Sequence, residues 1–235
     1  MGGAGVVELF MRRRAALSAS LLDLPPVREG LQYFWSGLDL KYITDEKYWT
    51  DRVGGGTLGL YQAPSDPSFS YWYTIENNTL LWSNSRRYSQ EITPSNWVSG
   101  TSYTVELMLN LDWSKTTGGL IVGHTGAGTS TLAFNGNPAN GISVALGGSS
   151  TYLATGSLVE GTHYYALTME PSGSNYLFTA YLDGVQLGER TEYRARNSAP
   201  SIYPAVALGA LSSYARALTP EEIARNYRYY KSIWR

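Results

Sequence analysis

The chain has 235 residues, 43% of them apolar and 16% charged, so it can build a sizeable core and is not a disordered polymer. Its 18 basic and 19 acidic residues leave a net charge of −1, which offers a polyanion no global attraction and sets nucleic acid aside as a partner. No cysteine is present, which excludes disulfides, thiolate metal sites and a cysteine nucleophile, and no apolar run reaches the ~20 residues of a membrane span.

Residues 1–29 read as an N-terminal arm. It carries Arg12, Arg13 and Arg14, then a modestly apolar stretch that Asp23 interrupts, so it lacks the unbroken apolar core of a signal peptide. Pro25 and Pro26 close it off. Residues 30–235 read as one domain. With 25 Gly and 19 Tyr, the composition of the whole chain leans to pleated surfaces and tight turns before any pattern is read.

From Gly30 the expected strands come at short intervals. "GLQYFWSGL" is aromatic and bounded by Gly30 and Gly37. "GGGTLG" (Gly54 to Gly59) matches a dinucleotide fingerprint literally, but the two prolines in the "LYQAPSDPS" that follows forbid the helix such a site needs. "SYTVELMLNLDW" alternates cleanly. Tyr103, Val105, Leu107, Leu109 and Leu111 face one way, Thr104, Glu106, Met108, Asn110 and Asp112 the other, which predicts a strand with one buried face. Gly147-Gly148 and Asp183-Gly184 separate apolar runs and predict two-residue hairpin turns. "PAVALGALSSY" reads as the last strand. Many short strands with turn signals between them predict a sandwich or barrel.

The chain then changes period. Thr219 is an N-cap, Pro220 sits at N1 and Glu222 at N3, which together make a capping box. Leu218 and Ile223 form the hydrophobic staple pair. Ile223, Tyr227, Tyr230 and Trp234 recur at three- to four-residue steps, so a helix over 219–234 should bury one stripe on the back of a sheet.

"LGALSSYARALTPEEIARNY", from Leu208 to Tyr227, resembles the closing segment of the laminin G-like branch of the concanavalin A-like lectin/glucanase superfamily. "EGLQYFWSGLD", "YTVELMLNL", "GTHYYALTME" and "YLFTAYLDGVQLG" are similar to its earlier strands, in the same order, so the likeness spans roughly residues 30–230. It implies an all-β fold: a two-sheet antiparallel jelly-roll sandwich with a short C-terminal helix. The helix reads as a structural seal, with Thr219, Glu222, Ile223 and Tyr227 carrying it. The superfamily holds lectins, adhesion modules, glycosidases and virion proteins, and fold alone does not choose among them.

Glycoside hydrolysis requires two carboxyls close enough to act on one bond. Glu106 and Asp112 share a face but lie six residues apart, about 20 Å along a strand, so no catalytic residue is assigned and the chain is expected not to be an enzyme. The resemblance implies Asp183 as the best-placed metal candidate, though a hairpin-turn role accounts for it. Asp45, Glu46 and Asp51 read as a solvated loop. His124 and His163 are isolated, and calcium remains possible without a ligand cluster. Tyr71, Trp72, Trp82, Trp97 and Trp113 are the candidate ligand-stacking residues, because sugar-binding faces and protein interfaces both use large aromatics with a polar edge.

The expectation is a non-catalytic recognition or structural module that contacts a glycan or protein surface. A phage or prophage virion accessory protein is the leading setting, with residues 1–29 contacting other virion proteins. A secreted or cell-surface bacterial carbohydrate-binding module is the alternative, and a glycoside hydrolase the third reading.

Overall fold

The computed structural model describes residues 24–42, 48–59, 73–76, 79–82, 90–93, 102–111, 120–123, 131–134, 142–146, 149–154, 159–192, 201–202 and 207–234. Within them, sixteen strands form two antiparallel eight-stranded sheets, and one α-helix closes the chain.

The first sheet holds β1 (Leu31–Ser36), β4 (Tyr73–Glu76), β5 (Thr79–Trp82), β7 (Tyr103–Leu111), β12 (Gly161–Ser172), β13 (Asn175–Leu182), β14 (Val185–Glu192) and β16 (Ala207–Tyr214). Its order is β14-β13-β12-β7-β16-β5-β4, with β1 added along β16. The second sheet holds β2 (Tyr48–Thr50), β3 (Thr57–Gly59), β6 (Gln90–Thr93), β8 (Leu120–Gly123), β9 (Thr131–Phe134), β10 (Ile142–Leu146), β11 (Ser149–Ala154) and β15 (Ser201–Ile202). Its order is β11-β10-β9-β8-β15-β6-β3-β2. The chain crosses between the sheets repeatedly, as after β7, β11 and β14, which is the interleaving of a jelly-roll sandwich.

Turn chemistry sets the hairpins. Leu182 pairs with Val185, and both residues between them have positive φ, 50° at Asp183 and 78° at Gly184, as a type I′ turn requires. Leu146 pairs with Ser149 across Gly147-Gly148, the other predicted two-residue connection. "GGGTLG" runs into β3, a strand rather than a helix, so no phosphate-binding helix start exists there.

β7 departs from the sequence expectation. Val105, Leu107 and Leu109 are buried as foreseen, but Thr104, Glu106 and Met108 on the opposite face are buried too. The reason is tertiary. β7 is central, flanked by β12 and β16, and its second face lies under the C-terminal helix α1 (Pro220–Ile233). That face and the helix share one apolar cluster, containing Phe34, Met108, Tyr164, Ala166, Ala210 and Tyr214 from the sheet with Ile223, Tyr230 and Trp234 from the C-terminal segment.

The helix begins where its capping box predicts. Thr219 Oγ1 accepts from the Glu222 N–H at 3.3 Å, and Glu222 Oε2 accepts from the Thr219 N–H at 2.9 Å. Arg216 grips the same carboxylate with two 2.7 Å hydrogen bonds. At its far end, Trp234 lies over Gly209 of β16, where a Cβ would come within 2.8 Å of the indole nitrogen. The helix also sits close over the β13–β14 turn, where a Cβ on Gly184 would meet Tyr227 at 3.0 Å.

The sequence reading drew the arm boundary at residue 29. Val27, on the arm side of that boundary, is buried in the cluster beneath α1. Its N–H donates to Asn226 Oδ1 at 3.1 Å and its carbonyl accepts from the Tyr214 hydroxyl at 3.1 Å. Residues 24–30 thus form a strap across the sheet face beside the helix.

Candidate functional site

The aromatic candidates fall mostly beyond the description. Tyr71, Trp72, Trp97 and Trp113 lie outside the described residues. Trp82 ends β5, paired with Tyr73, and its side chain lies outside the description. Asp45, Glu46, Asp112 and His124 are likewise outside it. Among the described residues, the carboxylates carry the polar chemistry.

Glu106 is the deepest. The pleat turns it toward α1, where it is fully buried. Its Oε1 accepts from the Tyr164 hydroxyl at 2.6 Å and from Asn226 Nδ2 at 2.8 Å. Its Oε2 accepts from the Ser212 hydroxyl at 2.7 Å and, weakly, from the Tyr230 hydroxyl at 3.4 Å. Three elements, β12, β16 and α1, converge on this one carboxyl of β7. Burial pushes that carboxyl above its ordinary range, and the hydrogen bonds from Tyr164, Asn226 and Ser212 pull the other way. The Tyr164, Tyr214 and Tyr230 hydroxyls are pushed well above their ordinary range, first by burial and then by the Glu106 charge, so they stay neutral donors. No solvent reaches Glu106, and a glycosidic bond could not approach it.

Asp183, the metal candidate, is a turn residue with its oxygens engaged. Oδ1 accepts from the Tyr164 N–H at 3.0 Å and Oδ2 bonds His163 Nδ1 at 2.8 Å. The other ring nitrogen of His163 faces the Glu160 carbonyl at 3.2 Å. A nucleophile-activating histidine would turn that nitrogen to a hydroxyl. Here it clasps the start of β12 to the β13–β14 turn. Among the described residues no group of three or more His, Asp or Glu side chains is placed to hold a metal.

Asp51 overturns its expectation as part of a solvated loop. It is buried, and Oδ1 accepts from the Val53 and Gly54 N–H groups at 2.7 Å each while Oδ2 accepts from the Gly56 N–H. A carboxylate replaces water for a glycine-rich turn whose own carbonyls cannot reach those amides. Next to it, Arg52 forms a bidentate pair with Asp39 at 2.6 Å and lies over the Phe34 ring at 5.9 Å.

Thr219 and Glu222 form the cap, Ile223 is fully buried, and half-buried Tyr227 packs against Tyr164 with centroids 5.8 Å apart. The sequence reading missed Asn226. It lies inside the apolar stripe between Ile223 and Tyr230, wholly buried, and connects the strap to Glu106. The available signal was a polar residue within that stripe, together with a lone carboxylate in the alternating run of β7.

No protein-family model and no curated protein sequence matches the chain. Solved structures of similar fold exist. Trypanosoma rangeli sialidase superposes with a TM-score of 0.62 at 15% identity, covering 98% of this chain and 40% of that one. Domain 4 of AbnA, a GH43 extracellular arabinanase from Geobacillus stearothermophilus, solved with arabinotriose, gives 0.57 at 14% identity, covering 86% of this chain and 100% of that domain. The HCR/D W1238A mutant gives 0.57 at 10% identity, covering 85% and 52%. The chain spans about two fifths of the sialidase, 40% of its length, and the likeness is one of fold.

Proposed function

We propose that the chain is a laminin G-like, concanavalin A-like recognition module that contacts a glycan surface without catalysing its hydrolysis. One observation carries this reading: five described carboxylates are engaged in holding the fold together. Glu106 serves the helix, Asp51 a glycine turn, Asp183 a hairpin, Asp39 an arginine and Glu222 a cap. A glycosidase needs two carboxyls about 5–9.5 Å apart and open to one substrate bond. None of these offers such a pair.

The seal of α1 and the strap closes the outer face of the first sheet. Contact then falls to the β4–β5 edge of the first sheet and to the connections between the sheets. In sequence, Tyr71 and Trp72 precede β4, Trp82 ends β5, Trp97 falls between β6 and β7, and Trp113 follows β7. These are the stacking platforms of the proposal. The arabinotriose bound to the AbnA domain supports a glycan as ligand. The reading requires no cofactor, and no helix among the described residues is long and apolar enough to cross a membrane.

The setting in this proposal is a phage or prophage virion, anchored through residues 1–29. The basic run Arg12–Arg14 and the absence of cysteine support it, and a secreted or cell-surface module is the alternative. Calorimetry with arabinan oligosaccharides and sialylated glycans tests the function. Saturable binding that weakens at least about tenfold in Trp72→Ala or Trp82→Ala, a loss of ~1.4 kcal/mol, is the expected result. Released sugar that disappears on replacing one carboxylate would overturn the non-catalytic reading, and no binding to any glycan would overturn the ligand class. Density-gradient fractionation of the native source, with mass spectrometry for this chain, tests the setting. Peptides in the soluble fraction alone contradict a virion component.

A further inference from the structure

We propose that α1 and the strap at residues 24–30 form a single cap on the first sheet, and that Glu106 is the latch that holds or releases both together. Each hydrogen bond of this cap has a fixed direction. The Val27 N–H can only donate, so Asn226 must present Oδ1 to it, at 3.1 Å. That fixes Asn226 Nδ2 as donor to Glu106 Oε1 at 2.8 Å and to the Tyr214 hydroxyl at 2.9 Å. The Tyr214 hydroxyl, accepting there, donates its own proton to the Val27 carbonyl at 3.1 Å. Strap, helix and sheet therefore close one ring of hydrogen bonds, and the ring is attached to Glu106.

The latch is an acid among neutral donors. Tyr164 faces it from β12, Ser212 and Tyr214 from β16, and Asn226 and Tyr230 from α1. None of the groups that hydrogen-bond it is a cation. With α1 docked, the hydrogen bonds on the charge come from neutral dipoles. With α1 lifted, water solvates it. Ionisation therefore favours the lifted state, and protonation the docked one. Burial raises the docked carboxyl above its ordinary value of 4.5, which fixes the sign. Support from the latch is complete below that ordinary value and is lost as pH rises through the docked value. The three phenols titrate higher still and do not contribute in this range.

Hydrogen exchange of the full chain between about pH 5 and about pH 9, corrected for the intrinsic exchange rate, tests the latch. Peptides covering 24–30 and 220–234 should lose protection together as pH rises, about tenfold in rate for each unit by which the docked carboxyl lies above the open one. Glu106→Gln keeps the shape and cannot ionise, so its protection should stay flat. Tyr164→Phe removes one donor to the charged form and should deepen the loss at high pH. The latch is refuted by protection in the unaltered chain that ignores pH, or by an equal pH dependence in Glu106→Gln. Loss at 220–234 with 24–30 unmoved would equally refute a shared cap. Should Glu106→Gln fail to fold, an unaltered pH response in Tyr164→Phe overturns the proposal.

Discussion

At the scale of single residues, buried polar groups account for more of this molecule than their number suggests. Removing Glu106 leaves the Tyr164 and Ser212 hydroxyls without this acceptor in a dry interior and Asn226 Nδ2 with one of its two, and each orphaned group costs about 1–3 kcal/mol. Glu106→Ala is therefore expected to lose on the order of 3 kcal/mol or more in a urea titration, a large share of an ordinary domain's stability. A loss under about 1 kcal/mol would mean water enters to replace the carboxyl. Gly184 is sensitive for a different reason. Its φ of 78° disfavours any Cβ, and that Cβ would press on Tyr227. Gly184→Ala should cost on the order of 1–3 kcal/mol and lower the melting temperature accordingly. Asp183-Gly184 was legible from its dipeptide because a type I′ turn is a local matter. The buried state of Glu106 was not, because alternation along β7 assigns faces and leaves open what covers each face.

At the scale of elements, α1 owes its place to both its ends. Thr219→Ala removes the hydroxyl acceptor for Glu222 N–H and should cost about 1 kcal/mol. The Arg216 hydrogen bonds are the main reason that the Glu222 carboxyl lies below its ordinary value of 4.5, although burial opposes them. A lowered folded value gives stability that is present above the ordinary value and lost as pH falls through the folded one. The pair is partly exposed and screened, so the contribution is small, under about 1 kcal/mol. Arg216→Ala should flatten the acid-side loss of stability below pH 4.5, as read by thermal melts in dilute salt. The helix was legible almost residue by residue, since caps, staple and stripe act within a few positions of one another. Asn226 escaped because its partners, Val27 and Glu106, are 199 and 120 residues away.

At the scale of the whole molecule, the two sheets are not equivalent. The first is covered on its outer face by α1 and the strap, so its central strands β7, β12 and β16 are buried on both sides, with polar Glu106, Thr168 and Ser212 enclosed among the apolar residues. Removing residues 219–235 would expose Met108, Tyr164, Ala210 and Tyr214 and leave Glu106 facing water. That shortened chain is expected to bind a hydrophobic dye and lose its near-ultraviolet circular dichroism while keeping far-ultraviolet strand signal. A native near-ultraviolet spectrum would show the cap to be dispensable.

The sequence by itself determined the elements: an all-β chain with its hairpin turns and one capped C-terminal helix. Each depends on residues a few positions apart, where φ preference, capping and side-chain periodicity act. Only the tertiary structure decided what those elements enclose. It turned an alternating strand with one expected buried face into a doubly buried spine and made Asp51 an internal acceptor. It also brought Val27, Glu106 and Asn226 into a single hydrogen-bonded ring. Long-range pairing specifies such contacts, and no local pattern carries the partner's position.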